Sequence, residues 1–190
     1  MLKEILINPI DNYIKEESNK KYIILCDTLR NDFDKYVLSL SKKNYAPSYI
    51  VRKDGTIHKF FDEKYYTDFT TIEKINKSSI FIGLENSGKL IKDNEDFLNW
   101  CNETVNTKDV KEMMINKETS YYEIYPKKQI EALGQLILYL GNKHNLNLKQ
   151  INTKNKEDNS IIFLNQIDVF SYSPNPTLNV EKLNSIIFGN

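Results

Sequence analysis

Short apolar runs alternate along the chain with stretches in which apolar residues return every three or four positions, and the two patterns divide it into strands and helices. Residues 20–27 (KKYIILCD) form a compact run with β-branched and aromatic members, which predicts a buried strand. In residues 31–41, Phe33, Tyr36, Val37 and Leu40 fall on one helical face, with Asn31 as the expected cap. Residues 44–61 (NYAPSYIVRKDGTIHKFF) read as strand, turn and strand, with strands over 48–52 and 56–61. The tip is Asp54-Gly55, a turn dipeptide expected to place both residues at positive φ. Residues 64–77 lack a pattern and read as a loop. Residues 79–85 (SIFIGLE) predict a central strand, in which Gly83 marks a bulge or a close backbone approach.

The second half is less even. Residues 88–125 read as an irregular, polar excursion holding Trp100, Cys101 and a short helix over 108–115. Residues 126–144 carry the widest apolar stripe of the chain: Ile130, Leu133, Ile137 and Leu140, broadened by Ala132, Leu136 and Tyr139. A stripe of that width suits a helix lying on a sheet. Gly134 and Gly141 sit two turns apart on it, and their cost in a helix implies a packing reason. A polar loop over 152–159, a strand over 160–165, a proline-punctuated loop over 171–177 and a closing helix over 180–188 complete the order β-α-β-β-β-α-β-α. The expected fold is therefore α/β: one domain over 1–190, with a central mixed β-sheet flanked by helices, an N-terminal extension over 1–19 and the irregular excursion over 89–120.

Composition narrows the function classes. The 26 basic and 26 acidic residues of this 190-residue chain cancel, which argues against a broad electrostatic grip on nucleic acid or anionic lipid. No apolar run reaches membrane-spanning length, so no membrane insertion is expected. Two cysteines cannot build a disulfide framework and fit a reducing compartment. The first residues lack the basic-apolar-small order of a secretory signal, which implies cytoplasmic synthesis and delivery by other means.

Among reactive side chains, Cys26 ends the first predicted strand, at the sheet edge where α/β proteins build sites. A nucleophilic thiol needs a positioned base, and the two histidines are His58, on the hairpin, and His144, expected in solvent near the end of the long helix. A buried, inert thiol is the simpler reading. Asp27, Glu85 and Asp168 are acidic enough for a hard metal, but no compact ligand loop surrounds them. Tyr65, Tyr66, Tyr121, Tyr122 and Tyr125 suit either a sugar groove or ordinary packing.

Four segments together resemble the zinc-dependent N-acetylmuramoyl-L-alanine amidases of the peptidoglycan-recognition and phage-endolysin type. The hairpin YIVRKDGTIHKFFDEKYY resembles their strand pair around an R-D-G-T-I turn. INKSSIFIGLENSG is similar to their N-x-x-S-I-G-I-E strand, and YYEIYPKKQIEALGQLILYLGNKHNLNL to their Y-T-x-x-Q-I-x-A-L helix. KYIILCDT stands where the family has a strand ending in His-His-Thr. The resemblance implies an amidase/peptidoglycan-recognition fold and a groove for peptidoglycan fragments. It also implies a zinc ion held by two histidines and a Cys or Asp.

The matching ligand positions here are Cys26, Asn165 and Ser173, and the lysine that often precedes the third ligand matches Ser171. Amide and hydroxyl side chains are poor zinc donors, so no catalytic residue and no bound cofactor is expected. Candidates to line the groove are Asp27, Thr28, Ser48, His58, Tyr66 and Ser171. The expected function is a degenerate, non-enzymatic amidase retained to bind peptidoglycan fragments or a protein partner, including as a subunit of a phage or injection particle or as a released protein. The alternative is an active amidase using Cys26 and nearby carboxylates.

Overall fold

The computed structural model describes residues 5–7, 9–43, 45–151, 160–166 and 173–189. Its centre is the parallel pair β2 (Tyr22–Asp27) and β5 (Ser79–Leu84), in register from Tyr22 opposite Ser79 to Asp27 opposite Leu84. Each residue from Ile23 to Asp27 and from Ser79 to Leu84 is buried, which explains why both strands are near-continuous apolar runs. Strands β3 (Tyr49–Val51), β4 (Ile57–Lys59), β1 (Ile5–Ile7) and β11 (Ile161–Phe163) complete a six-stranded mixed sheet of order β1-β4-β3-β5-β2-β11. Only the β3–β4 pair is antiparallel.

Helices cover both faces. On one lie α3 (Lys127–Lys143) and α4 (Val180–Phe188), with Ile130, Leu133, Leu136, Ile137, Leu140, Leu183 and Ile187 packed on Ile23, Leu25, Tyr49, Val51, Ile80 and Ile82. On the other, α1 (Phe33–Leu40) sets Phe33, Tyr36 and Leu40 against Ile50, Phe60 and Phe61. Its cap is Asp32, whose side chain accepts from Lys35 N, one residue after the expected Asn31. Among the described residues no helix is long and apolar enough to cross a membrane.

Four local expectations need correction. Residues 64–77 are not loop throughout, because the short helix α2 (Glu73–Ser78) leads into β5. The excursion over 89–120 is not irregular. It forms a five-stranded antiparallel sheet from β6 (Lys89–Asp93), β7 (Asp96–Leu98), β8 (Thr104–Val105), β9 (Val110–Ile115) and β10 (Glu118–Glu123), in the order β8-β7-β6-β10-β9. Its apolar residues are sparse because its burial is shallow: Leu90, Phe97 and Val105 form a small core of their own. The predicted helix over 108–115 is a 3-10 turn followed by β9, whose pairing with β10 outweighs a weak helical pattern. At the hairpin tip only Gly55 has positive φ (85°); Gly55 N donates to Arg52 O and Arg52 N donates to Thr56 O, the pattern of a three-residue loop. The N-terminal extension supplies β1 to the sheet edge and is then tied at Ile14 to Tyr66.

Gly134 and Gly141 do mark close contacts. A Cβ on Gly134 would lie 2.5 Å from Ile186 Cγ2 and 3.0 Å from its Cβ, and one on Gly141 would lie 2.5 Å from Leu148 Cδ1 and 2.9 Å from its Cγ. Ile186 is stiff and held by α4, whereas the tip of Leu148 can rotate.

One buried charge cluster ties the hairpin to the end of α3. The Glu63 carboxylate has no exposed surface; it accepts from Tyr49 Oη at 2.7 Å and pairs with Lys59 Nζ at 2.7 Å, with Lys143 Nζ, and with His144 Nε2 at 3.4 Å. His144 is thus turned inward and not solvated, because the buried carboxylate is a better partner than the exposed helix end. Burial pushes the Glu63 pKa up, but hydrogen bonds from Lys143, Lys59 and Tyr49 outweigh it and hold the carboxyl well below its usual range. Nearby Lys20 is buried on Ser18 Oγ, Tyr65 O and Lys77 O; burial lowers its pKa to about 8, with Glu63 opposing.

Two outcomes are expected. Gly134→Ala should destabilise by about 1–3 kcal/mol through overpacking, and more than Gly141→Ala, in urea or thermal unfolding; equal effects would place the constraint elsewhere. Because the native Glu63 pKa lies below its ordinary value of 4.5, its stabilisation is complete above that pH and disappears as the pH falls beneath it. Glu63→Gln should remove that part of the acid dependence and cost about 3 kcal/mol at neutral pH, the low end for a broken buried pair because Lys143 is partly solvated.

Candidate functional site

Cys26 lies on the face of the main sheet that α1 covers, in one apolar cluster with Ile24, Phe81 and Leu164. Its Sγ donates to Ile82 O at 3.6 Å. Burial raises the thiol pKa far above its ordinary value, and the charge of Asp27 adds to the rise, so the thiol is held protonated. Strand register sets its distance from His58. Cys26 is opposite Gly83, Gly83 opposite Ile50, and Ile50 opposite His58. Three strand spacings separate thiol and imidazole, about 14 Å, too far for a nucleophile and its base. Gly83 leaves a gap in that row which Pro47 fills: an added Cβ would lie 3.3 Å from Ile50 Cγ1 and 3.5 Å from Pro47 Cγ. His58 instead packs its ring 4.4 Å from that of Phe33, and burial, with Arg52 adding, lowers its pKa.

The other two ligand-matching positions lie beyond β11. A 3-10 turn over Leu164–Gln166 leaves Asn165 exposed and turns Leu164 into the Cys26 cluster. Ser173 is half-buried, and its hydroxyl oxygen is buried with no hydrogen-bond partner among the described residues. Asn165, Pro174, Asn175 and Pro176 border an open cavity of about 400 Å³. Ser171 and Asp168 lie outside the described residues. The zinc implied by the family resemblance does not fit this donor set. It meets a protonated thiol in apolar surroundings, a neutral amide and a neutral hydroxyl, and among the described residues no three His, Cys, Asp or Glu side chains converge.

On the opposite face the same strand end carries a polar network. Asp27 accepts from Tyr125 Oη at 2.7 and 2.8 Å and from Asn175 N at 3.2 Å. Burial holds its carboxyl well above the usual range; the hydrogen bonds oppose this and Glu123 reinforces it. Asn175 reaches further, donating from Nδ2 to Asn86 Oδ1 at 2.8 Å and to Glu123 O at 3.0 Å. Ser87 N donates to Glu123 Oε2 at 2.6 Å, and Lys53 Nζ pairs with Glu123 Oε1. Gln129 Nε2 closes the carboxyl ends of β3 and β5, donating to Val51 O at 2.9 Å and Glu85 O at 3.0 Å. Asp27 is thus a structural anchor for the loop that leads into α4.

The remaining groove candidates scatter. Thr28 extends the β2 edge, donating from its N to Leu84 O at 2.9 Å. Ser48 is buried, its backbone bonded to Phe81 O and Phe60 N. Tyr66 donates to Glu16 Oε2 at 2.9 Å beside Lys77, which precedes β5. That is the amino end of the sheet, about 20 Å from Asp27 by strand rise.

A second polar region is invisible to pattern reading. The loop after β2 is bound to the small sheet: Asn31 N donates to Glu103 Oε2 at 3.1 Å, Asn31 Nδ2 to Thr104 O at 3.0 Å, and Trp100 Nε1 to Leu29 O at 2.6 Å. Glu103 pairs with Arg30 at 3.5 Å and Lys35 at 3.7 Å. Arg52 packs its guanidinium 4.5 Å from the centre of the Phe33 ring and donates to Glu85 Oε2 at 3.2 Å. Of these groups, Asn31, Phe33, Lys35, Arg52 and Glu103 border a polar cavity of about 420 Å³. Trp100 is 60% exposed.

Residues 16–162 match the sequence profile of a family described as N-acetylmuramoyl-L-alanine amidase. No curated protein sequence matches the chain. Among solved structures it is similar to the N-acetylmuramoyl-L-alanine amidase LysC from Clostridium intestinale URNW, at 15% identity and TM-score 0.59, over 96% of this chain and 95% of that one. It is similar to a mutant endolysin from Bacillus subtilis at 14% identity and TM-score 0.60, over 98% and 99%. It is also similar to the amidase AmiD from E. coli, in complex with the substrate anhydro-N-acetylmuramic acid-L-Ala-D-gamma-Glu-L-Lys, at 17% identity and TM-score 0.55, over 90% and 59%. At these identities the likeness is one of fold.

Tyr125→Phe should cost about 1–3 kcal/mol, because it removes the side-chain donor to Asp27 and one of the two acceptors of Asn175 N in a buried site. Thr177→Val removes one bond to Glu123 O (2.9 Å) and should cost about 1 kcal/mol. Chemical denaturation of both variants checks the order; the reverse order would remove Tyr125 from the centre of the network.

Proposed function

The chain belongs to the N-acetylmuramoyl-L-alanine amidase family, and from that premise we propose that it is a non-hydrolytic member which binds peptidoglycan fragments. One observation carries the reading: the position of the family's first zinc-binding histidine is a cysteine whose thiol is buried among Ile24, Phe81 and Leu164 and held protonated. Zinc takes thiolate, imidazole or carboxylate. Uncovering and ionising this thiol opposes both burial and the neighbouring Asp27, and the amide of Asn165 and the hydroxyl of Ser173 offer no charge in compensation. Without a bound metal the family's means of activating water and polarising the scissile amide is missing. His58 cannot serve the thiol as a base in its place, since it lies three strands away.

Binding places weaker demands on a site than hydrolysis. It needs a concave surface with a few oriented polar groups, and this fold keeps such groups at the sheet's carboxyl edge in Asn31, Arg52 and Glu103. The E. coli relative is named for its complex with a muropeptide substrate; the same ligand class is assigned here to the retained edge.

The test combines elemental analysis, a cleavage assay and retention on purified cell-wall sacculi. The expected outcome is zinc well below one equivalent, no release of peptide from muramic acid, and retention of the protein on sacculi. Stoichiometric zinc with muramoyl–alanine cleavage that Cys26→Ser abolishes would replace this reading with an active amidase using atypical ligands. Failure to bind sacculi or soluble fragments would remove the binding role.

A further inference from the structure

Trp100 is the sole tryptophan of the chain, and it stands 60% exposed in the turn between β7 and β8. A single exposed aromatic ring is ordinary on a protein surface; what sets this one apart is that it is tethered and linked to a polar cavity. Its Nε1 donates to Leu29 O at 2.6 Å, and the Arg30 guanidinium sits 5.2 Å from the ring centre. Arg30 is itself paired with Glu103, three residues beyond Trp100, and Glu103 borders the polar cavity of about 420 Å³ together with Asn31, Asp32, Lys35 and Arg52. A fixed, partly exposed aromatic ring, with Arg30 over it, is therefore linked through the Arg30–Glu103 pair to a cavity whose walls offer both hydrogen-bond donors and acceptors.

That combination suits one ligand class. A pyranose ring has a face of C–H groups that packs on an aromatic π-surface, and an edge of hydroxyl and amide groups that needs mixed polar partners. A purely apolar ligand would leave the charged walls unpaired. A simple anion would meet Asp32, Asp34 and Glu103 as well as Lys35 and Arg52. Resting on the peptidoglycan-binding reading above, we propose that Trp100 is the stacking platform for an N-acetylated amino sugar of the glycan strand, with the cavity beside Glu103 and Arg52 taking the sugar's polar edge. The small inserted sheet is then the glycan-reading part of the molecule, and the six-stranded sheet is its support.

The sole tryptophan gives a direct readout. Titration with a β-1,4-linked N-acetylglucosamine tetrasaccharide should change the intensity or wavelength of intrinsic fluorescence, whereas the tripeptide L-Ala-D-γ-Glu-L-Lys should leave it unchanged. By calorimetry, Trp100→Ala should weaken tetrasaccharide binding about tenfold, the scale of one lost aromatic contact. Trp100→Phe keeps a stacking ring but loses the N–H tether to Leu29. It should bind within about threefold of the parent chain, which separates stacking from loop tethering; circular dichroism establishes that both variants fold. Unchanged fluorescence together with full affinity in Trp100→Ala, while sacculi are still retained, would overturn the role of Trp100 and leave peptidoglycan binding intact. Loss of all binding to sacculi and tetrasaccharide by the parent chain would overturn both.

Discussion

The β2–β5 ladder constrains everything else in this molecule. Six residue pairs lie in parallel register and five of them, from Ile23–Ile80 to Asp27–Leu84, are buried, so their side chains are apolar until the strands end. Polar chemistry is thereby excluded from the middle of the sheet and driven to its carboxyl edge, where Asp27, Thr28, Glu85 and Asn86 emerge together. Helices α3 and α4 supply the cover on one side, α1 on the other. A polar group at the edge must then find a partner or reach solvent.

The two faces of that edge have met the requirement differently. Towards α3 and α4, Asp27, Tyr125, Asn175 and Glu123 satisfy one another, and the loop before α4 is fixed as a result. Towards α1, Cys26 is closed over by apolar side chains. A metal site needs several ionisable donors meeting in an accessible place. Here the deep position has become part of the core and Asn165 has been left at the surface, so the proposed loss of hydrolysis is a matter of packing as well as of ligand identity.

The small sheet lies against the loop that follows β2. Its contacts to the loop after β2 are numerous and charged, which fixes Trp100, Glu103 and Asn31 relative to Arg52. Fixed polar groups around a cavity are what the proposed binding role requires.

Much of the fold was legible in the sequence because periodicity reports burial. The runs at 20–27 and 79–85 are buried strands, the stripe at 126–144 is a sheet-covering helix, and Gly134 marks a close helix–helix contact. The assignment of Cys26, Asn165 and Ser173 to the family's ligand positions rests on the family resemblance and not on periodicity. The small sheet was not: its strands are short, polar and shallowly buried, so alternation never rises above the background, and its stability comes from cross-strand pairing. Nor could the chain order reveal that Glu63 collects Tyr49, Lys59 and Lys143, that Asn175 reaches Asp27 across 148 positions, or that Trp100 lies against Leu29. Residue order and periodicity determine which segments are buried and in what conformation. Which polar groups meet, and whether a thiol faces a ligand or a leucine, depends on the three-dimensional packing of distant segments, and only the tertiary structure decided it.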